Sequence, residues 1–140
     1  VVENPAGRLV TYRVVPPVDD SNATRAADQI RSAIVAVGRP VVICADLTEA
    51  RTFSADTAAQ FVALMKSDNP KLERSALLLD GASATLLLQM ERMVREAGSP
   101  LRRIFLDRQA VRGWLHLVLS REEGVALEAF LATPPLPRAT

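Results

Sequence analysis

The stretch that most constrains this chain is residues 41–65, VVICADLTEARTFSADTAAQFVALM. Residues 41–45 are apolar at every position, and Val41, Val42 and Ile43 are β-branched. A strand reads this way when helices cover both of its faces. Asp46 ends the run, a polar turn follows, and an amphipathic helix starts near Ser54. Strand, loop and returning helix form part of a parallel crossover. In open α/β sheets the carboxyl ends of strands are where sites tend to be built. Residues 46–57 are therefore the first place to look for one.

The flanking segments extend the pattern. Asn4-Pro5-Ala6-Gly7 is a turn signal between two β-prone runs, which predicts an N-terminal hairpin that Pro16-Pro17 ends. Asp19, Asp20 and Ser21 offer helix caps, and Ala23, Ala26, Ala27, Ile30, Ala33, Ile34 and Val37 recur at helical spacing before Gly38 and Pro40. The second helix is expected over 55–67, with Ser54 as its cap. Residues 71–74 read as a polar connection and 75–79 as a short strand ending at Asp80. A third helix is expected over 84–97, a last strand over 103–106 ending at Asp107, and a fourth helix over 109–119. Ser120 and Glu123 form a capping box ahead of a final short helix carrying Val125, Leu127, Phe130 and Leu131. Helices of this length between short apolar strands predict right-handed parallel crossovers with a mixed edge from the hairpin. The class is α/β, with a sheet of four to five strands. Residues 1–132 read as one domain and 133–140 as a disordered proline-rich tail.

Bulk properties exclude more than they assign. At 140 residues with 49% hydrophobic and 24% charged composition, the chain can build a core without disulfides. A net charge of +1 gives no argument for nucleic acid. No apolar run reaches the length of a membrane-spanning helix, and no signal peptide is visible, so a cytoplasmic protein is expected. Cys44 lies inside the central apolar run and reads as a buried, inert thiol.

Several constellations invite a chemical reading, and each has a plainer one. Asp46, Asp80 and Asp107 each end a strand, where an acid can bind a cation or simply cap the following turn. No partner motif for a metal accompanies them. No Gly-x-Gly-x-x-Gly follows a strand, and no phosphate-binding glycine-lysine loop is present. His116 is the only histidine and has no nucleophile beside it in sequence. Arg102, Arg103, Arg108, Arg112 and Arg121 gather around the last strand and helix. They suit an acidic partner or an anion, or else a solvated face balanced by Asp107, Glu122 and Glu123. Leu86, Leu87, Leu88, Met90 and Met93 make the third helix apolar over more than half its girth, with Leu88 toward the exposed flank.

The element order, and the run Asp46-Leu47-Thr48 leading through Ser54-Ala55-Asp56-Thr57 into a helix, resemble the STAS domains of anti-sigma-factor antagonists, closest to the SpoIIAA-like branch. In that family an Asp-Leu-Ser run precedes Asp-Ser-Ser-Gly at the helix start. Here Ala55 or Asp56 stands where the family carries its phosphorylated serine, and Thr57 replaces the glycine. The resemblance implies a bacterial, cytoplasmic, non-enzymatic signalling domain that binds a protein partner, with no cofactor or metal. The implied partner surface is Thr48, Glu49, Arg51, Thr52, Ser54, Asp56 and Thr57. Ser54 and Thr57 are the hydroxyls left for a shifted phosphorylation, and Asp56 is a fixed negative charge in the place of a phosphate. The alternative is carriage of a lipid or small apolar ligand in a cleft beside the third helix. Oligomeric state stays open, and an exposed leucine patch would favour a homodimer.

Overall fold

In a computed structural model that describes residues 1–16 and 19–133, the apolar run forms the central strand β3 (Val41–Asp46), with all six residues buried. Before it come β1 (Val2–Ala6), β2 (Leu9–Arg13) and helix α1 (Asp20–Val37). After it come α2 (Ala55–Asp68), a single 3-10 turn, β4 (Leu72–Leu78), α3 (Ala84–Ala97), β5 (Arg102–Phe105), α4 (Arg108–Leu115) and α5 (Arg121–Ala132). The sheet runs β1-β2-β3-β4-β5; β1 is antiparallel to β2, and the other pairs are parallel. The expected α/β class, mixed sheet and N-terminal hairpin are all present.

Why the helices divide as they do follows from topology and side-chain alternation. α1, α2 and α3 each join neighbouring parallel strands in the same left-to-right order, so right-handed crossovers place all three on one face. Val41, Ile43 and Ala45 meet them there with Val10, Tyr12 and Leu77. Val42 and Cys44 point the other way and pack with Leu9, Ala76 and Leu78 against Val111 and Leu115 of α4 and Leu127 and Leu131 of α5. Burial pushes the Cys44 thiol up to about 12, so the thiolate is not available at neutral pH.

The helix starts follow local chemistry. Asp19, Ser54, Ser83, Asp107 and Ser120 each cap a helix by accepting a backbone N–H, and Glu123 completes the capping box with Ser120. Four boundaries or faces differ from expectation. β4 starts at Leu72, because Leu72 is buried while Glu73 pairs with Arg8 and Arg74 lies over Trp114; residues 72–74 are strand, not connection. β5 spans 102–105, so Leu106 lies beyond the strand and is exposed. α4 stops at Leu115, where residues 116–118 turn and leave Leu117 in solvent. Val125 is exposed, since α5 turns Gly124, Leu127 and Leu131 inward instead. The expectation for 134–140 and for Pro17 lies outside the described residues.

A polar knot closes the end of the sheet where the parallel strands start. Glu123 is buried, yet its carboxylate accepts from the Arg8 backbone N–H at 2.6 Å, from Arg8 Nη2 at 2.9 Å and from the Ser120 N–H at 2.8 Å. Arg8 also pairs with Glu73 and donates to the Val118 carbonyl at 2.6 Å. The hairpin turn must approach Glu123 closely: Gly7 has φ +47°, and a Cβ there would collide with the Glu123 carboxylate.

Candidate functional site

The loop from β3 to α2 is held at both ends by side chains that sequence inspection could not connect. At its start, Asp46 Oδ1 accepts from the Thr48 N–H at 3.0 Å and the Thr48 hydroxyl at 2.6 Å. Its other oxygen meets Arg13 Nη1 at 2.6 Å, with Arg108 Nη2 at 3.8 Å. Arg13 reaches on to the Phe130 carbonyl at 2.8 Å and lies 4.5 Å above that ring. Asp46 is only 3% exposed. With its oxygens engaged in this way, it works as a turn cap and a charge partner joining β2, β3 and α5.

At the far end, the Ser54 hydroxyl donates to Asp20 Oδ1 at 2.9 Å while accepting from the Thr57 N–H at 3.1 Å. The Thr57 hydroxyl donates to the same Asp20 oxygen. These two hydroxyls hold the Asp20 carboxyl below its ordinary range, Thr57 contributing more. Asp20 thus fastens the start of α1 to the start of α2. Between these anchors, the Gln89 side-chain amide bonds the Phe53 backbone twice, accepting from its N–H and donating to its carbonyl, both at 2.8 Å. Phe53 also packs on Phe61 with ring centroids 5.6 Å apart. The loop is therefore preorganised against α3.

The seven candidate partner residues divide accordingly. Thr48 and Glu49 are half-buried, and Thr57 is buried against Asp20. Arg51, Thr52, Ser54 and Asp56 are exposed and share one end of the molecule. Beside them runs a groove of about 680 Å³ between α2 and α3, with buried Val62 and Met93 in its lining together with Ala55, Ala58 and Ala59 of α2 and the charged Arg92 and Glu96 of α3. Leu88 stands in its wall, 66% exposed. Asp20, Arg13 and Gln89 belong to this site and were missed from sequence. Asp20 and Arg13 gave no signal beyond a helix start and a strand position.

A second, internal cavity lies between the sheet and α1–α3. It measures about 70 Å³, has almost wholly apolar walls including Tyr12, Phe61, Leu64 and Met90, and takes its few polar groups from Asp68, Ser75 and Arg102. That is room for about two water molecules and far below the several hundred Å³ of ordinary ligand pockets. Arg102, expected within the exposed arginine cluster, is buried here, donating to Asn69 Oδ1 at 2.8 Å. Burial raises the Asp68 pKa, and the charges of Arg31, Arg102 and Lys71 only partly offset it. Asp68 is also the last residue of α2, where the helix dipole disfavours an anion. A raised carboxyl costs stability once ionised, so Asp68→Asn is expected to stabilise the protein by about 0.5–1 kcal/mol at pH 7. Thermal melts should show that gain disappearing below the unfolded pKa near 3.8, where the wild-type carboxyl is already protonated.

The other acids and the histidine carry simpler roles. Asp80 accepts from the Ala82 N–H at 2.8 Å and Asp107 caps α4. His116 is exposed, 3.5 Å from Glu128. Among the described residues, no group of three or more His, Cys, Asp or Glu could hold a metal ion, and no helix is long and apolar enough to cross a membrane.

The fold and the site define an α/β domain of five mixed strands with a braced loop and an adjoining groove at the carboxyl end of its central strand. Compared with protein-family models, with curated proteins and with solved structures, the chain matches none.

Proposed function

We propose that this chain is a non-enzymatic regulatory module of the STAS, SpoIIAA-like kind, acting in the cytoplasm by binding a protein partner. The contact surface is the exposed part of the 48–57 loop together with the α2–α3 groove. The observation that carries this reading is the groove itself: a lining of mostly apolar side chains, an exposed Leu88, the charged Arg92 and Glu96, and a flanking loop pinned by Gln89. Apolar centre and polar rim are how protein interfaces are built, and a pinned loop lowers the ordering cost of association. The usual serine switch is absent from this reading. Asp56 supplies a fixed charge at the first turn of α2, and the Ser54 and Thr57 hydroxyls are occupied by Asp20.

The test uses a photo-crosslinker at position 52 in the native cell to capture the partner, followed by affinity measurement with purified components. Ala59→Arg and Leu88→Lys, both exposed positions, are expected to weaken that complex by about 100-fold or more while leaving the melting temperature within a degree or two. Asp56→Lys should weaken it as well. Unchanged affinity in all three variants would remove this surface from consideration. A lipid retained through purification in native mass spectrometry, and lost in Leu88→Lys, would shift the reading to apolar-ligand carriage.

A further inference from the structure

The far edge of the sheet carries an arrangement that the groove does not use. β5 is the last strand, and its inner side is bonded to β4: Ser75 N–H donates to the Leu101 carbonyl and Leu79 N–H to the Phe105 carbonyl. In a parallel ladder the alternate residues then face outward. The N–H and C=O groups of Arg102 and Ile104, and the Leu106 N–H, therefore line an edge with no further strand beside it among the described residues. Edge strands usually carry some device against pairing. This one is short, but it has no proline, and Leu101 and Leu106 flank it in the open.

On the α4 side of the same edge sits a cationic stack. The guanidiniums of Arg74 and Arg103 each lie 4.9 Å from the Trp114 ring, and Phe105 packs on that ring at 5.6 Å. Arg74 also donates to the Trp114 carbonyl at 2.6 Å. Three other arginines of this region are engaged: Arg102 with Asn69, Arg108 with Asp46, and Arg112 with Glu128. Among the described residues, neither Arg74 nor Arg103 has a carboxylate within ion-pair distance.

We propose that the β5 edge takes up an extended acidic segment of a partner protein as a sixth strand. Main-chain bonds to Arg102, Ile104 and Leu106 supply the pairing, and an acidic side chain on the α4 face meets Arg103 and Arg74. Strand addition of this kind draws its affinity from the backbone and its specificity from alternate side chains. Charge selects the occupant. A second copy of this chain would bring another pair of guanidiniums to the same face, whereas a carboxylate completes a charge-assisted pair with a guanidinium already placed over an aromatic ring. This edge is separate from the α2–α3 groove, and its occupant is tested independently of the partner expected there.

The probes are fluorescent octapeptides alternating valine with glutamate, with glutamine or with lysine, and an oligothymidylate of similar length. The glutamate peptide is expected to bind most tightly and to slow amide exchange at Ile104 and Leu106. Arg103→Glu should weaken it by about ten-fold or more with an unchanged melting temperature. Leu106→Pro, which deletes an outward donor, should weaken it too. The proposal is overturned if the three peptides bind alike or not at all, or if binding leaves the β5 amides unprotected. It is equally overturned if folded Arg103→Glu binds as the wild type does, or if the oligothymidylate outcompetes the acidic peptide, which would assign the edge to nucleic acid.

Discussion

Asp46→Ala is expected to lower the unfolding free energy by about 3–5 kcal/mol, the cost of leaving a buried charge without its partner. The substitution strands the Arg13 guanidinium, which is 14% exposed and fixed between Asp46 and Phe130. It also removes the acceptor for the Thr48 N–H and hydroxyl, so the loop start loses its anchor. Asp46→Asn keeps the shape and one acceptor and should cost less. Pairing Asp46→Asn with Arg13→Leu should recover part of the loss, giving a coupling of about 1–3 kcal/mol in a double-mutant cycle. Urea unfolding at pH 7 measures all four corners. An Asp46→Ala protein as stable as the wild type would mean that this acid is held for chemistry and not for structure.

The second large effect is at the opposite end of the sheet. Glu123→Ala should cost about 3–5 kcal/mol by the same logic, since Arg8 and the Ser120 N–H both lose their acceptor. Glu123→Gln, which can still complete the capping box, should cost less. This site also makes a pH prediction. Burial alone would push the Glu123 carboxyl up. Hydrogen bonds from the Arg8 side chain, the Ser120 N–H and the Arg8 N–H, together with the Arg8 charge, outweigh that and bring it to about 2. A depressed carboxyl stabilises the fold fully above its unfolded pKa of 4.5 and loses that contribution as pH falls toward 2. The difference between wild type and Glu123→Gln should therefore be constant from pH 7 to about 5, and shrink by roughly 3 kcal/mol between about 4.5 and 2. A difference that stays flat through that window would show that the Arg8 pairing contributes nothing net.

Both predictions concern charges that sequence inspection could list but not pair. Arg13 and Asp46 are 33 residues apart and Arg8 and Glu123 are 115 apart. Local context marks Asp46 as a turn cap and Glu123 as part of a capping box, but it names neither arginine as the partner. The arginines near the last strand show the same limit. Read as one group, Arg102, Arg103, Arg108, Arg112 and Arg121 looked like a single cationic face. Strand alternation sends Arg102 into the core beside Asn69 and leaves Arg103 on the opposite face, where it shares the Trp114 ring with Arg74, an arginine from β4 that was not in the group.

What the sequence determined by itself is everything that local periodicity and capping encode. The unbroken apolar run at 41–45 placed the central strand. The alanine and isoleucine spacing of 23–37 placed α1, and the caps at Asp19, Ser54 and Ser120 placed the starts of α1, α2 and α5. These signals act within a turn or two of chain, so they survive without knowledge of neighbours. Only the tertiary structure decided which charges are buried in pairs and that Asp20 holds the hydroxyls of Ser54 and Thr57. It also decided that Gln89 braces the loop and that α2 and α3 leave a groove beside the alanines of α2. Long polar side chains reach across elements brought together by folding, and their energy depends on burial and partner distance, neither of which has a period in the chain.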